Sequence, residues 1–230
     1  MKLLPAISNL FFPKICVFCE VHLLENEEIL CVSCRHQLPV TSFVNSPINL
    51  VEKAFEGRVN IEAGTALLFF KKNGISQELI HNLKYRNRQD IGRFFGNWIG
   101  VELKESTRFT EIDGIVKVPL HKKKKKLRGY NQLTTFEKAL SKQTQIPIFD
   151  SVLIKTKESK SQTKKDRLSR FETIKGSFSI TNQDLLIDKH ILLIDDVITT
   201  GATLEACANV LLAVKGVRIS IVTMVVADYL

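Results

Sequence analysis

No apolar run in this 230-residue sequence is long enough to cross a bilayer. The longest near the C-terminus, ISIVTMVVA, falls far short of the roughly 20 residues that a spanning helix needs. No secretory leader is expected either, because LLPAISNLFFP is broken by Pro and Asn and runs straight into CVFC without a small-residue cleavage site. A cytoplasmic protein with no membrane partner is expected. No Gly-Lys-Ser/Thr triplet occurs, so a nucleoside triphosphate P-loop is excluded. Aromatic rings are few where the chain is most basic, with Tyr130, Phe136 and Phe149 the main candidates for stacking on bases. The overall balance, 44% hydrophobic and 25% charged, is that of an ordinary folded chain, and its length allows one real core with an appendage.

Acidic residues are scarce in one stretch above all. From Lys117 to Lys175 there are 17 Lys and Arg against 5 Asp and Glu, so this stretch alone exceeds the net charge of +9 and the remainder is slightly acidic. A localised basic field attracts phosphates, on a nucleotide or on a nucleic acid backbone. The HKKKKK run by itself reads equally well as a solvated face.

Cysteine is used sparingly but with a pattern. Cys16-x2-Cys19 and Cys31-x2-Cys34 form two CxxC pairs eleven residues apart, a spacing that lets two tight turns converge four thiolates on one structural zinc ion. Disulfides are the alternative, disfavoured in a reducing compartment. Cys207 is left over among Ala206, Ala208 and Val210 and reads as a small core residue, and His22 and His36 are not needed as ligands.

Residues 1–41 read as a short helix followed by a zinc knuckle, 42–105 as a linker and a helical hood, and 106–230 as the main core. In the hood segment AGTALLFFKKNG is a strand and turn, and ISQELIHNLKYRN and DIGRFFGNWIGVELK are two amphipathic helices. Beyond them, DGIVKVPL, DSVLIKT, KGSFSI, HILLIDDV and VRISIVTMVVA read as strands, with helices over NQLTTFEKALSK and from Thr203 to Lys215. This alternation predicts an α/β fold, a parallel sheet flanked by helices on both faces. The polar insertion from Thr156 to Arg170 marks a functional loop or a disordered one.

The chemistry concentrates in LLIDDVITTGAT. Its strand ends on Asp195 and Asp196, where ligands collect in an open parallel sheet. The loop through Thr199, Thr200, Gly201, Ala202 and Thr203 then opens a helix whose free amides and dipole suit a phosphate. Two acids beside such a cradle would repel the phosphate unless they face hydroxyl groups, directly or through magnesium. A ribose carrying a 5-phosphate satisfies both halves. An acid pair that merely caps the helix is the alternative, although a cap needs one acid only.

LLIDDVITTGAT resembles the phosphoribosyl pyrophosphate motif of type I phosphoribosyltransferases. CVFC, CVSC, LKYRNRQDIG, VPLHKKKKKLRGYNQL and SQTKKDRLSRFETIKGSF further resemble the ComF family of competence-associated proteins along nearly the whole chain. The resemblance implies a type I phosphoribosyltransferase-like core that binds phosphoribosyl pyrophosphate with magnesium. It also implies Lys122 and Arg128 as anion positions, and a closing loop from which Lys164 and Arg167, with Gln162, act on the departing pyrophosphate. Thr199 stands where purine-type enzymes carry an Asp, so no general base for a purine acceptor is evident, although orotate-type enzymes also have Thr there. Two function classes follow. One is pentosyl transfer to an acceptor. The other is a non-catalytic single-stranded DNA-binding module that uses the site as a ligand sensor. Through its link with DNA uptake, the resemblance implies single-stranded DNA and the competence or recombination machinery as partners.

Overall fold

A computed structural model describes residues 13–120, 126, 128–156 and 176–228. The helix expected over 1–12 and nearly all of the polar insertion lie outside the described residues. In chain order the elements are α1 (Val32–His36), α2 (Leu50–Lys53), β1 (Ala63–Phe70), α3 (Ile75–Tyr85), α4 (Gln89–Glu105), β2 (Gly114–Lys117), α5 (Leu133–Thr144), β3 (Leu153–Lys155), β4 (Phe178–Ile180), β5 (His190–Ile198), α6 (Ala202–Leu212) and β6 (Arg218–Ala227).

Four strands form one sheet in the order β1-β6-β5-β2, and every pairing is parallel. Its two central strands, HILLIDDVI and RISIVTMVVA, are buried along almost their whole length, as expected of strands covered on both faces. The edge strand β1 comes from the segment that precedes the expected core, so the sheet begins one strand earlier than DGIVKVPL. Both edges are covered by further chain. Val40 bridges Leu68 antiparallel on one side, and Ile148 bridges Ile115 parallel on the other. DSVLIKT and KGSFSI do not enter this sheet. Their three-residue strands β3 and β4 pair antiparallel as a separate ribbon, because each is too short and too polar to span a core layer.

Both amphipathic hood helices form, and α4 packs along α5 at unusually close range. A Cβ added to Gly96 would lie 2.5 Å from the Phe136 carbonyl oxygen and 2.8 Å from Ala139 Cβ. Glycine at this position lets the two backbones meet, which fixes the N-terminal end of α5 relative to the sheet.

Lys117 is not a solvent-facing member of the basic field. Its ammonium donates to Glu137 at 2.7 Å and to Asp150 at 2.8 Å, beside the C-terminal end of β2. The phosphate-attracting charge of this region therefore rests on its other cations.

Candidate functional site

Strand β5 delivers the two acids, and the alternation of a strand sends them to opposite faces of the sheet. Asp195 turns toward the loop that follows. With Thr199, Thr200, Gly201 and Thr203 it lines a depression of about 30 Å³. Gly201 takes a left-handed conformation, φ 74°, as it leads into α6, and that helix starts without a side-chain cap. The Ala202 amide donates to Thr200 Oγ1 at 3.4 Å, and the first-turn acid Glu205 is paired with Arg58, so the positive end of the dipole lies at the depression.

The loop is held from behind by the chain just after α2. Arg58 Nη1 donates to the Thr200 carbonyl at 3.3 Å and to the Ala54 carbonyl at 2.6 Å, while Nη2 pairs with buried Glu205 in the first turn of α6. The Phe55 ring lies 3.4 Å from where a Cβ on Gly201 would sit. Arg58 gave no signal in the sequence, being one cation in a turn 142 residues from its loop partner.

Asp196 faces the other side and is fully engaged. Lys84 Nζ donates to Oδ1 at 2.7 Å and Gln132 Nε2 to Oδ2 at 2.7 Å. Arg128, expected as an anion position, is brought to this network: its Nη1 donates to Gln132 Oε1 at 3.0 Å, and its guanidinium lies 5.2 Å from the centre of the exposed Tyr85 ring. The expected anion-binding Lys122 and the expected loop residues Gln162, Lys164 and Arg167 lie outside the described residues. Asp196 does not fit direct ligation of magnesium, because both its oxygens already accept charge-assisted or amide bonds. Asp195 Oδ1 accepts from the Asp196 amide at 2.8 Å.

Crowding by protein pushes the Asp195 carboxyl up to about 7, and the negative field of Asp196 adds to the effect. The folded chain thus holds this proton more tightly than the unfolded chain does. The associated stability is present at low pH and is lost as the pH rises from the ordinary carboxylate range through about 7. Asp195→Asn should flatten that fall and, above neutrality, stabilise the protein by about 2 kcal/mol after allowance for partial solvent access. Thermal denaturation across pH checks this. A wild-type slope that survives in the variant contradicts it.

The four cysteines meet as the spacing predicts. Cys16, Cys19, Cys31 and Cys34 carry no disulfide, and their sulfur atoms all lie within 4.8 Å of one another. A bridge between Ile15 and His22 closes the first turn, and Cys31 caps α1, its sulfur accepting from the Cys34 amide at 3.5 Å. The Cys19 and Cys31 sulfurs are 3.6 Å apart, close to the about 3.8 Å edge of a tetrahedron with zinc–sulfur bonds of 2.3 Å. Burial and the neighbouring sulfurs push the Cys34 thiol up. Four sulfurs this close can all be thiolates only around a cation, and the set suits a metal.

A phosphoribosyl transferase domain model matches residues 134–228, which take in β5, the loop and β6. The chain is similar to Competence protein F of Haemophilus influenzae, 24% identical over 210 residues that cover 87% of this chain and 92% of that protein. It is also similar to DNA utilization protein YhgH of Escherichia coli, 28% identical over 138 residues, 58% of this chain and 60% of that protein. The chain is thus similar to proteins named for competence and DNA utilization, and its residues 134–228 match a phosphoribosyl transferase domain. Among solved structures the chain is similar to the glutamine phosphoribosylpyrophosphate amidotransferase from B. subtilis, with 18% identity and a TM-score of 0.40 over 61% of this chain and 30% of that one. It is similar too to the adenine phosphoribosyltransferase from Leishmania tarentolae, with 10% identity and a TM-score of 0.39 over 77% of this chain and 88% of that one. Among the described residues no helix is long and apolar enough to cross a membrane.

Proposed function

We propose that this chain binds phosphoribosyl pyrophosphate at the C-terminal ends of β5 and β6 and transfers its phosphoribosyl group to an acceptor, a pentosyl transfer. The observation that carries the reading is the shared depression in which the Asp195 carboxyl meets the Thr200–Thr203 start of α6. The amides and hydroxyls of Thr200 and Thr203 hold the 5-phosphate, and Gly201 lets the backbone approach it. Asp195 accepts from a ribose hydroxyl, and Asp196, across the strand, orients the ring through Lys84 and Gln132. As the bond from the anomeric carbon to the diphosphate oxygen breaks, negative charge grows on the leaving diphosphate. Lys122 and Arg128, with Lys164 and Arg167 from the insertion, stabilise that charge, the kind of electrostatic assistance that dominates such reactions. The four cysteines hold a structural zinc ion, whose closed thiolate shell leaves no position for substrate.

The loop half of this reading is tested by Thr200→Val with Thr203→Val. Calorimetry should show the affinities for phosphoribosyl pyrophosphate and for inorganic phosphate falling together, by about tenfold or more, because buried phosphate oxygens lose donors. Unchanged affinity for both ligands rejects the loop as the phosphate cradle.

The relatives named for competence and DNA utilization support a second role, contact with single-stranded DNA during its uptake or processing. The observation that favours it is the concentration of cations between Lys117 and Lys175. Such contact is made mainly through phosphates and weakens steeply as salt rises.

A further inference from the structure

We infer that Lys84 is the built-in counter-ion of Asp196, so that a ribose phosphate docks beside the acid pair with no divalent cation bound to the Asp196 carboxylate. The inference rests on the ribose phosphate reading above and adds to it what neutralises Asp196. Lys84 and Asp196 make a close and largely buried pair, 2.7 Å apart with side chains 19% and 7% exposed. The second oxygen of Asp196 accepts from Gln132 at 2.7 Å. A hydrated magnesium ion would have to displace an ammonium group from one oxygen or an amide from the other, and it gives up its own waters reluctantly.

Three consecutive residues at the end of α3 show that Lys84 is delivered to this place rather than resting there. The Leu83 carbonyl accepts from the Tyr130 hydroxyl, Lys84 reaches Asp196, and the Tyr85 ring meets the Arg128 guanidinium. The chain leading into α5 therefore grips α3 on both sides of the lysine. Arg128 also fixes the amide of Gln132, because its donation to Oε1 turns the NH2 group toward Asp196. The cation stands in the last turn of a helix, where the macrodipole favours positive charge. In the chain Arg128, Gln132, Asp196 and Lys84, Arg128 is also held by the Tyr85 ring, Gln132 by Arg128, and Asp196 by both Gln132 and Lys84. An arrangement so cross-braced fits a permanent ion rather than a placeholder for a metal.

The test uses the zinc-loaded full chain and manganese as a paramagnetic probe for divalent binding. Wild type should show no manganese site that depends on Asp196. Lys84→Met should create one, with affinity gained by about 100-fold, since a buried carboxylate left without its partner is strongly disfavoured. Adding Asp196→Asn should abolish that site. Lys84→Gln, which keeps a donor but no charge, should behave like Lys84→Met and covers the case in which methionine fails to fold. Lys84→Arg should behave like wild type. In parallel, ribose 5-phosphate should bind wild type equally with and without magnesium, and should need magnesium in Lys84→Gln. An Asp196-dependent manganese site in wild type, or a severalfold gain in ribose 5-phosphate affinity on adding magnesium to wild type that Asp196→Asn removes, overturns the inference. If the manganese pattern holds but ribose 5-phosphate binds no variant, the counter-ion role stands and the ligand reading fails.

Discussion

Arg58→Ala is expected to destabilise the protein by about 3 kcal/mol, the scale seen when one partner of a buried ion pair is removed. For a chain of this size that corresponds to a fall in melting temperature of about 10 °C. The larger part comes from Glu205, which is almost completely buried and would be left without its cation. The rest comes from the Ala54 and Thr200 carbonyls, which lose the same donor. Arg58→Ala combined with Glu205→Gln should recover most of the loss, because the stranded charge is gone. Phosphate affinity should not recover with it, since the Thr200 carbonyl still lacks its restraint. Equal stability of Arg58→Ala and wild type would show that the loop is held by Phe55 and its own turn alone.

Removing the metal centre should have the other large effect, but a local one. Cys34→Ser is expected to take zinc content from one ion per chain to none and to loosen residues 13–40, where metal binding supplies folding energy. The knuckle feeds the edge of the sheet: the Thr41 amide donates to the Leu67 carbonyl at 2.9 Å and the Phe69 amide to the Pro39 carbonyl at 2.8 Å. Hydrogen exchange at Thr41 and Phe69 should therefore quicken. Amides of β2, at the far edge, should keep their protection. Uniform loss of protection across the sheet would mean that the knuckle is part of the global core, and unchanged exchange would mean that the cysteines bind no structural ion.

Local pattern carried most of the fold. Continuous apolar runs predict β5 and β6, helical spacing predicts α3 and α4, and the paired CxxC spacing predicts a cluster whose sulfurs do converge. The misreadings have physical causes. DSVLIKT and KGSFSI have β-forming residues, but periodicity does not say which sheet a short strand joins. The adjacent acids read as a pair on one ligand, whereas the period of two in a strand places their side chains on opposite faces. Their partners were the least legible. Lys84 is 112 residues from Asp196, Gln132 is 64 away, and Arg58 is 142 from Thr200. Such contacts are set by how the helices pack on the sheet. Lys84 does stand within LKYRNRQDIG, so the family resemblance touched it without revealing what it does.

The central claim is that the acids read the sugar while the loop reads the phosphate. The most direct measurement is calorimetric titration of Asp195→Asn with Asp196→Asn, set beside wild type, using phosphoribosyl pyrophosphate and inorganic phosphate in turn. Matched melting temperatures must come first, because Asp196 anchors α3 and α5 to the sheet. The account predicts that the variant loses about 100-fold in affinity for phosphoribosyl pyrophosphate, as the Asp195 hydrogen bond to the ribose is weakened and the Lys84–Asp196–Gln132 network that orients the sugar is lost. It predicts that inorganic phosphate binds the variant at least as tightly as wild type, since the negative charge of Asp195 is gone from the loop and Lys84 is no longer offset by Asp196. A folded variant that binds phosphoribosyl pyrophosphate as tightly as wild type would contradict the account and leave the acids a purely structural part.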